Sequence, residues 1–516
     1  MSAVFGAAPG FREPVRATRR SKPVLLAAVA LVVLVGLAYL VADRLWISKH
    51  VTPAPTAFAP PPHSIAVLPF VNMSSDKDQE YFSDGLSEEL LNDLARINEL
   101  QVAARTSAFS FKGKDTDIST IAHKLNVGAV LEGSVRRSGN TIRITAQLIN
   151  AVTGFHLWSE TYDRDLGDVL KLQAEIATAV SGALKVALLG DLAAKIELGG
   201  TRNPAAFDAY LRASEAERSR HSAKDLSTAI GGYAEAIRLD PKYALAYAGR
   251  SYALAGYAAD AATGAAVREG FERAEADARR AIALAPELVE PYLALAFIGA
   301  ETLDFGKAHI EYERARALAP GTAKVLQLSG EFAAYMGHFD AGIVDIRRAV
   351  VLNPLAHRSH SGLGNALYAA RRYREAAAAY SEAINLAPGY KPTYGLRGLA
   401  LYGLGDLENA RASCESKLDD WINQWCLAIV YDKLGRHADA EAELAKIKAA
   451  EGDAEAYQYA TIYAQWGDRA KALEWLETAM RLRDPGLLGL NTEPLLDPLR
   501  KEPRFQAIER ELKFPS

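Results

Sequence analysis

The sequence predicts an all-α superhelix of stacked helical hairpins in its carboxyl-terminal part, a smaller α/β domain before it, and one transmembrane helix before both. Three observations carry this. Pro286, Pro320, Pro354 and Pro388 lie 34 residues apart and close the similar phrases AIALAP, ARALAP, AVVLNP and AINLAP. A fixed period in the thirties marks a repeat whose units bury their apolar faces only against neighbours. Between residues 64 and 190, helix-period segments are interleaved with a strand-period hairpin. Val24 to Ala42 is a run of 19 residues without a charge.

Taken in order, residues 1–22 form a short basic tail, with Arg12, Arg16, Arg19, Arg20 and Lys22 opposed only by Glu13. The apolar run would make a rod of about 28 Å, the thickness of a bilayer core. It exceeds the apolar region of a signal peptide, and Trp46 suits an interfacial anchor, so a membrane helix over 23–46 is expected. More basic residues precede than follow it. The amino terminus is therefore expected in the cytoplasm of a bacterial inner-membrane protein, with all later residues in the periplasm. Residues 47–63, with VTPAPTAFAPPP, read as a semi-stiff proline-rich linker.

Residues 64–190 read as the α/β domain. SIAVLPFV is a continuous apolar run, as a buried strand requires. Leu86, Leu90, Leu91, Leu94 and Ile97 then share one helical face, LQVAA is a short strand, and Ile118, Ile121, Ala122 and Leu125 recur at helical spacing. AVLEGSVRR, a Ser138-Gly139-Asn140 turn and TIRITAQLIN predict a hairpin. In its second strand Ile142, Ile144, Ala146 and Leu148 alternate with polar residues, which predicts one buried and one wet face. FHLWSETYDR follows, and a helix from about Leu166 buries Val169, Leu172, Ile176, Val180 and Leu184.

Residues 205–512 carry about eight hairpins. With each proline at position 32, position 27 is Ala281, Ala315, Ala349 and Ala383, position 20 is Ala274, Ala308, Gly342 and Ala376, and position 24 is Ala278, Tyr312, Ile346 and Tyr380. Small residues at 20 and 27 let paired helices approach. This pattern, with Leu295-Ala296 and Leu363-Gly364 at positions 7 and 8, resembles the tetratricopeptide (TPR) repeat. Pro241 to Pro286 spans 45 residues, and the excess near 255–270 predicts extended helices and a longer hairpin loop.

The phrases SIAVLPFVNMSS, YFSDGLSEELLNDLARI, VAARTSAFSFKGK, IAHKLNVGAVLEGSVRRSGNTIRITAQLINA and HLWSETYDR strongly resemble the TolB-like (FlgO-like) amino-terminal domain. In bacteria that domain stands beside TPR arrays, after a membrane helix and a cytoplasmic cyclase or winged-helix domain. Only 22 residues precede the expected membrane helix here. The resemblance therefore implies the sensory or scaffolding half of such a protein without its output domain.

A net charge of −4 over 516 residues speaks against a broad nucleic-acid-binding face. No P-loop, HExxH, GxSxG or strand–helix GxGxxG appears, so neither an enzyme nor a cofactor is expected. His357 and His360 are three apart on a predicted helix, but two ligands rarely make a metal site. Cys414 and Cys426 read as buried thiols, with a disulfide between adjacent helices as the alternative. Arg136 and Arg137 read as a solvated turn. Asp84, Glu88 and Glu89 read as acids favoured at a helix start.

By analogy with TPR proteins, positions 2, 5, 9, 12 and 13 of each first helix line a binding groove. They are Glu290, Leu293, Phe297, Ala300 and Glu301; Lys324, Gln327, Glu331, Ala334 and Tyr335; and Arg358, Ser361, Asn365, Tyr368 and Ala369. Partner-binding candidates are Phe297, Glu301, Lys324, Gln327, Tyr335, Arg358, Asn365 and Tyr368, with Arg358 and Asn365 placed to clamp a carboxylate. The expected function is a membrane-anchored scaffold or sensor that binds a peptide or protein through this groove, with a homo-oligomer as a further expectation. The alternative is the output-less part of a receptor related to adenylate cyclase or winged-helix regulators.

Overall fold

A computed structural model describes residues 31, 34–41, 58–97, 99–186, 198–219 and 222–515. The chain divides into two compact units, Met1–Phe58 and Ala59–Ser516.

In the first unit, residues 31 and 34–41 are helical and exposed. The whole basic tail, the rest of the expected 23–46 span and the proline-rich linker up to residue 57 lie outside the described residues. Among the described residues no helix is long and apolar enough to cross a membrane. This overturns the expected single-pass inner-membrane placement, with its cytoplasmic amino terminus and periplasmic domains. The apolar run, Trp46 and the flanking basic residues carried that expectation.

In the second unit the α/β domain comes first. Its strands are β1 (Ser64–Val67), β2 (Val71–Asn72), β3 (Gln101–Val102), β4 (Ala129–Ser138), β5 (Thr141–Asn150) and β6 (His156–Asp165). The sheet order is β3-β1-β4-β5-β6, and β2 also pairs with β4. β1 is parallel to β3 and β4, whereas β4, β5 and β6 are antiparallel. Helices α1 (Glu80–Ala95) and α4 (Val169–Ala183) are built on apolar stripes that meet one sheet face. Ile142, Ile144, Ala146 and Leu148 are all buried there, as their alternation requires. Two shorter helices, α2 (Arg105–Phe109) and α3 (Ile118–Leu125), lie between β3 and β4 in the chain. A cavity of about 550 Å³ is bounded by their connecting loop, Lys112 to Thr116, and by Glu132, Ser134, Thr145 and Gln147 of β4 and β5.

Eight helical hairpins follow among the described residues: α5 (Pro204–Ser219) with α6 (Ala223–Leu239), α7 (Ala244–Asp260) with α8 (Ala265–Leu284), α9 (Glu290–Glu301) with α10 (Phe305–Leu318), α11 (Ala323–Tyr335) with α12 (Phe339–Leu352), α13 (His357–Ala369) with α14 (Tyr373–Leu386), α15 (Pro392–Gly403) with α16 (Leu407–Glu415), α17 (Trp421–Lys433) with α18 (His437–Glu451), and α19 (Ala456–Gln465) with α20 (Arg469–Leu482). Two 3-10 turns, Pro485–Gly489 and Pro494–Leu499, lead to α21 (Pro503–Leu512).

The alanines at position 27 are all buried, as close helix pairing demands. In the long second hairpin the excess residues lengthen α7 and α8, and the loop is short, closed by Gly264 at φ 59°. Cys414 and Cys426 form a disulfide that bridges α16 and α17, so the thiol reading is corrected. Both sulfurs lie against Gly398, where a Cβ would overlap them.

Candidate functional site

The first helices of the early hairpins do not present an empty groove. They hold the chain's own α/β domain. Phe82 of α1 meets Phe207 of α5 edge to face, with ring centroids 6.3 Å apart, and Gly85 leaves room for Leu211. Glu88 accepts from Arg218 at 2.6 Å and pairs with Arg105 at 2.9 Å. Glu89 accepts from the Tyr210 hydroxyl at 3.2 Å. Asp84 is buried and pairs with Lys112 at 2.6 Å. Glu88 and Glu89, inside α1 rather than at its start, are therefore interface groups, while Asp84 is held within the α/β domain by Lys112.

Arg137 is likewise not part of a solvated turn. Its guanidinium binds Asp208 at 2.6 Å and lies 5.1 Å from the centre of the Phe82 ring. Arg136 is exposed and donates to the Met73 carbonyl at 3.2 Å.

A second dock lies further along the array. The Ala104 N–H donates to Leu352 O at 2.8 Å. The buried Ser107 hydroxyl donates to Asn353 Oδ1 at 2.7 Å and accepts from Leu355 N–H at 2.9 Å. The turn between the fourth and fifth hairpins is thus capped by the domain.

Burial at this interface shifts its acids. Glu89 is pushed up to about 8, chiefly by burial and then by Asp93 and Glu88. Asp93 is pushed up to about 7 by burial, against the pull of Arg96. Within the repeats themselves, Glu301 rises to about 7 by burial and by Asp260, and Glu331 to about 7 by burial.

The structure separates the eight candidate residues into three groups. Phe297 packs against Tyr252, ring centroids 5.9 Å apart, and the Lys324 ammonium lies 4.6 Å from the centre of that Tyr252 ring, with Glu301 at the end of the same first helix as Phe297. Gln327 donates to Glu331 at 3.0 Å and accepts from Ser359 at 2.9 Å, while Arg358 is exposed and lies 5.7 Å from the centre of the Tyr390 ring. Tyr335, Asn365 and Tyr368 converge on a cavity of about 270 Å³. Asn365 accepts from the Tyr380 hydroxyl at 2.8 Å, so Arg358 and Asn365 belong to different groups rather than to one clamp.

The sequence reading missed the rest of that cavity. Trp421, Trp425 and Tyr457 come from the seventh and eighth hairpins, and Glu493 comes from the turns beyond them. The end of the chain folds back on the third hairpin: Arg483, at the end of α20, donates to the Thr302 carbonyl, and Phe514, after α21, stacks on Phe305 with centroids 5.0 Å apart. Repeat spacing places residues within a hairpin, and it does not say which distant hairpins the end of the chain will cover.

His360 bonds the Pro354 carbonyl at 2.8 Å, and His357 packs on Tyr390. Among the described residues no group of three or more histidines, cysteines or acids is gathered to hold a metal.

Comparison with known proteins divides along the same lines. Residues 62–179 match the second domain of the HilA/YgeH-like transcriptional regulators. The TolB-like assignment was not found for this segment. Residues 357–390 and 456–484 match tetratricopeptide repeat models. A Rhizobium meliloti (strain 1021) protein named "Putative adenylate cyclase 3" is 45% identical over 169 residues, which are 32% of this chain and 29% of that protein. Solved structures similar to the chain include a tetratricopeptide repeat protein from Parabacteroides merdae ATCC 43184, at 13% identity and a TM-score of 0.36, covering 54% of this chain and 99% of that one. Pseudomonas aeruginosa pilF is another, at 17% identity and a TM-score of 0.33, covering 41% and 93%. The helical part of the chain carries tetratricopeptide repeats, preceded by an α/β region with a mixed sheet.

Proposed function

We propose that the chain is a protein-recognition module in which the α/β domain occupies the first-helix face of the early repeats and a partner segment binds along the later ones. The observation that supports it most is the division of that face. Around α5 and the turn after α12 its polar groups are taken up by the α/β domain. From Gln327 through Arg358 to Tyr368 it presents exposed or half-buried polar and aromatic side chains. An extended or helical peptide laid there would meet an exposed cation at Arg358 and aromatic surface at Tyr335 and Tyr368. We read residues 64–190 as the TolB-like type that their motifs resemble, here serving as a fixed insert against the repeats.

A photocrosslinker at position 358 tests this. It should capture a partner that the same reagent at Val344, on the second-helix face, does not. Equal capture from both positions would sink the reading.

The relative named as an adenylate cyclase supports a second reading, in which this arrangement is the sensory region of a signalling protein. On that reading a partner or ligand bound at the repeats would act through the α/β domain that they grip. Partner binding should then change hydrogen exchange in α1, and an unchanged α1 would exclude it.

A further inference from the structure

The 270 Å³ cavity has a composition that the peptide reading does not require. Six aromatic side chains line it: Tyr335, Tyr368, Tyr380, Trp421, Trp425 and Tyr457. They come from the fourth, fifth, seventh and eighth hairpins, and the Pro485–Gly489 turn and Pro494 close one side. Aromatic faces carry negative potential, and several around one space attract a cation once water is excluded.

The polar groups agree in sign. Glu493 lines the cavity, and its Oε1 accepts from the Tyr368 hydroxyl and the Leu495 N–H, both at 3.0 Å. The nearby guanidiniums of Arg371 and Arg500 are turned to Asp497, at 2.6 and 2.7 Å. Arg500 donates to the Glu493 backbone carbonyl at 3.1 Å, and its charge also draws the Glu493 pKa down. Burial raises the Glu493 pKa, a cost that a bound cation would offset. Two lining residues also carry a buried atom with no hydrogen-bond partner among the described residues, the Tyr457 hydroxyl and Gln458 Oε1. Tyr457 is only 4% exposed.

We propose that this cavity binds an organic ammonium cation, with the aromatic rings around the charge and Glu493 as counter-ion. The volume suits a head of a few heavy atoms better than a large ligand. The same head can arrive as a free amine or on the lysine of a partner chain, and the inference does not depend on which.

Trp421 and Trp425 line the cavity, so their fluorescence reports on it directly. The full chain is titrated with tetramethylammonium, with a short peptide bearing one lysine, with sodium at equal ionic strength, and with 3,3-dimethylbutanol as an uncharged shape match. A saturable change is expected with a cationic probe and none with sodium. The affinity should fall at least tenfold in Glu493→Gln and in Tyr335→Leu, each checked for an unchanged melting transition. Two variants guard against the loss of fold in either. Tighter binding of the peptide would assign the head to a partner chain, and tighter binding of tetramethylammonium would assign it to a small molecule. No saturable response, equal binding of the butanol, or full affinity in both folded variants would overturn the inference. Crosslinking at position 358 would survive that failure, so the two readings fall separately.

Discussion

Gly364 sits where the Tyr380 ring leaves no space for a side chain. A Cβ there would stand 2.5 Å from Cε1, and Tyr380 is 1% exposed and anchored through Asn365. Gly364→Ala should therefore destabilise the chain by about 1–3 kcal/mol through overpacking. Enlarging Ala315 or Ala383 to leucine should cost a similar amount, because both alanines are buried where paired helices touch. Gly231 is the opposite case: it lies on the exposed side of α6, and a Cβ would meet nothing within 4 Å. Gly231→Ala should stabilise by about 0.5–1 kcal/mol through helix propensity alone. Thermal unfolding of the variants checks both signs. The repeat register rests on these positions, and it was legible because small residues recur where helices meet. Cys414 and Cys426 were less legible. Spacing put them on adjacent helices, but only Gly398 beneath them shows how close their sulfurs come. Reduction should lower stability by about 3 kcal/mol on loop-entropy grounds.

At the scale of elements, α1 is the informative case. Its apolar stripe predicted the face that meets the sheet, and Leu86, Leu90, Leu91 and Leu94 are buried as expected. Its acidic side was misread, since an acid at a helix start has a sufficient local explanation and the partner on α5 is more than a hundred residues away in sequence. That side makes stability depend on pH. Glu89 and Asp93 ionise less readily when folded than when unfolded, because burial penalises the charge. The folded state therefore holds more protons between the ordinary carboxylate range and about 8. Stability from this interface is fully present below that ordinary range and falls as pH rises through 7 and 8. Arg96, Glu88, Glu290 and Tyr210 are the charged and titratable neighbours that modulate it. The melting temperature should decline from pH 5 to 8.5, and Glu89→Gln should flatten the decline. A slope unchanged by that substitution would place the pH dependence elsewhere.

For the molecule as a whole, the period and the strand alternation made both architectures readable, yet not their embrace. Docking depends on side chains that carry no local signature: Ser107 looks like any loop serine, although its hydroxyl serves Asn353 and Leu355 across the repeats. If this grip holds the α/β domain in place, loosening its two ends should release the domain without unfolding the array. Arg218→Ala removes one of the two cations on Glu88 and leaves Arg105, breaking a pair about one-fifth exposed at a cost of about 2 kcal/mol. Ser107→Ala strands the Leu355 N–H at a cost of about 1–2 kcal/mol. The sites lie at different repeats, so the effects should add. In the double variant, hydrogen exchange should rise in α1 and in residues 104–109, while α15 to α20 keep their protection. The opposite pattern, with uniform loss of protection along the chain, would mean that the domain and repeats fold as one cooperative unit. A bound partner could not then be felt by one without unfolding the other, and the sensory reading would lose its moving part.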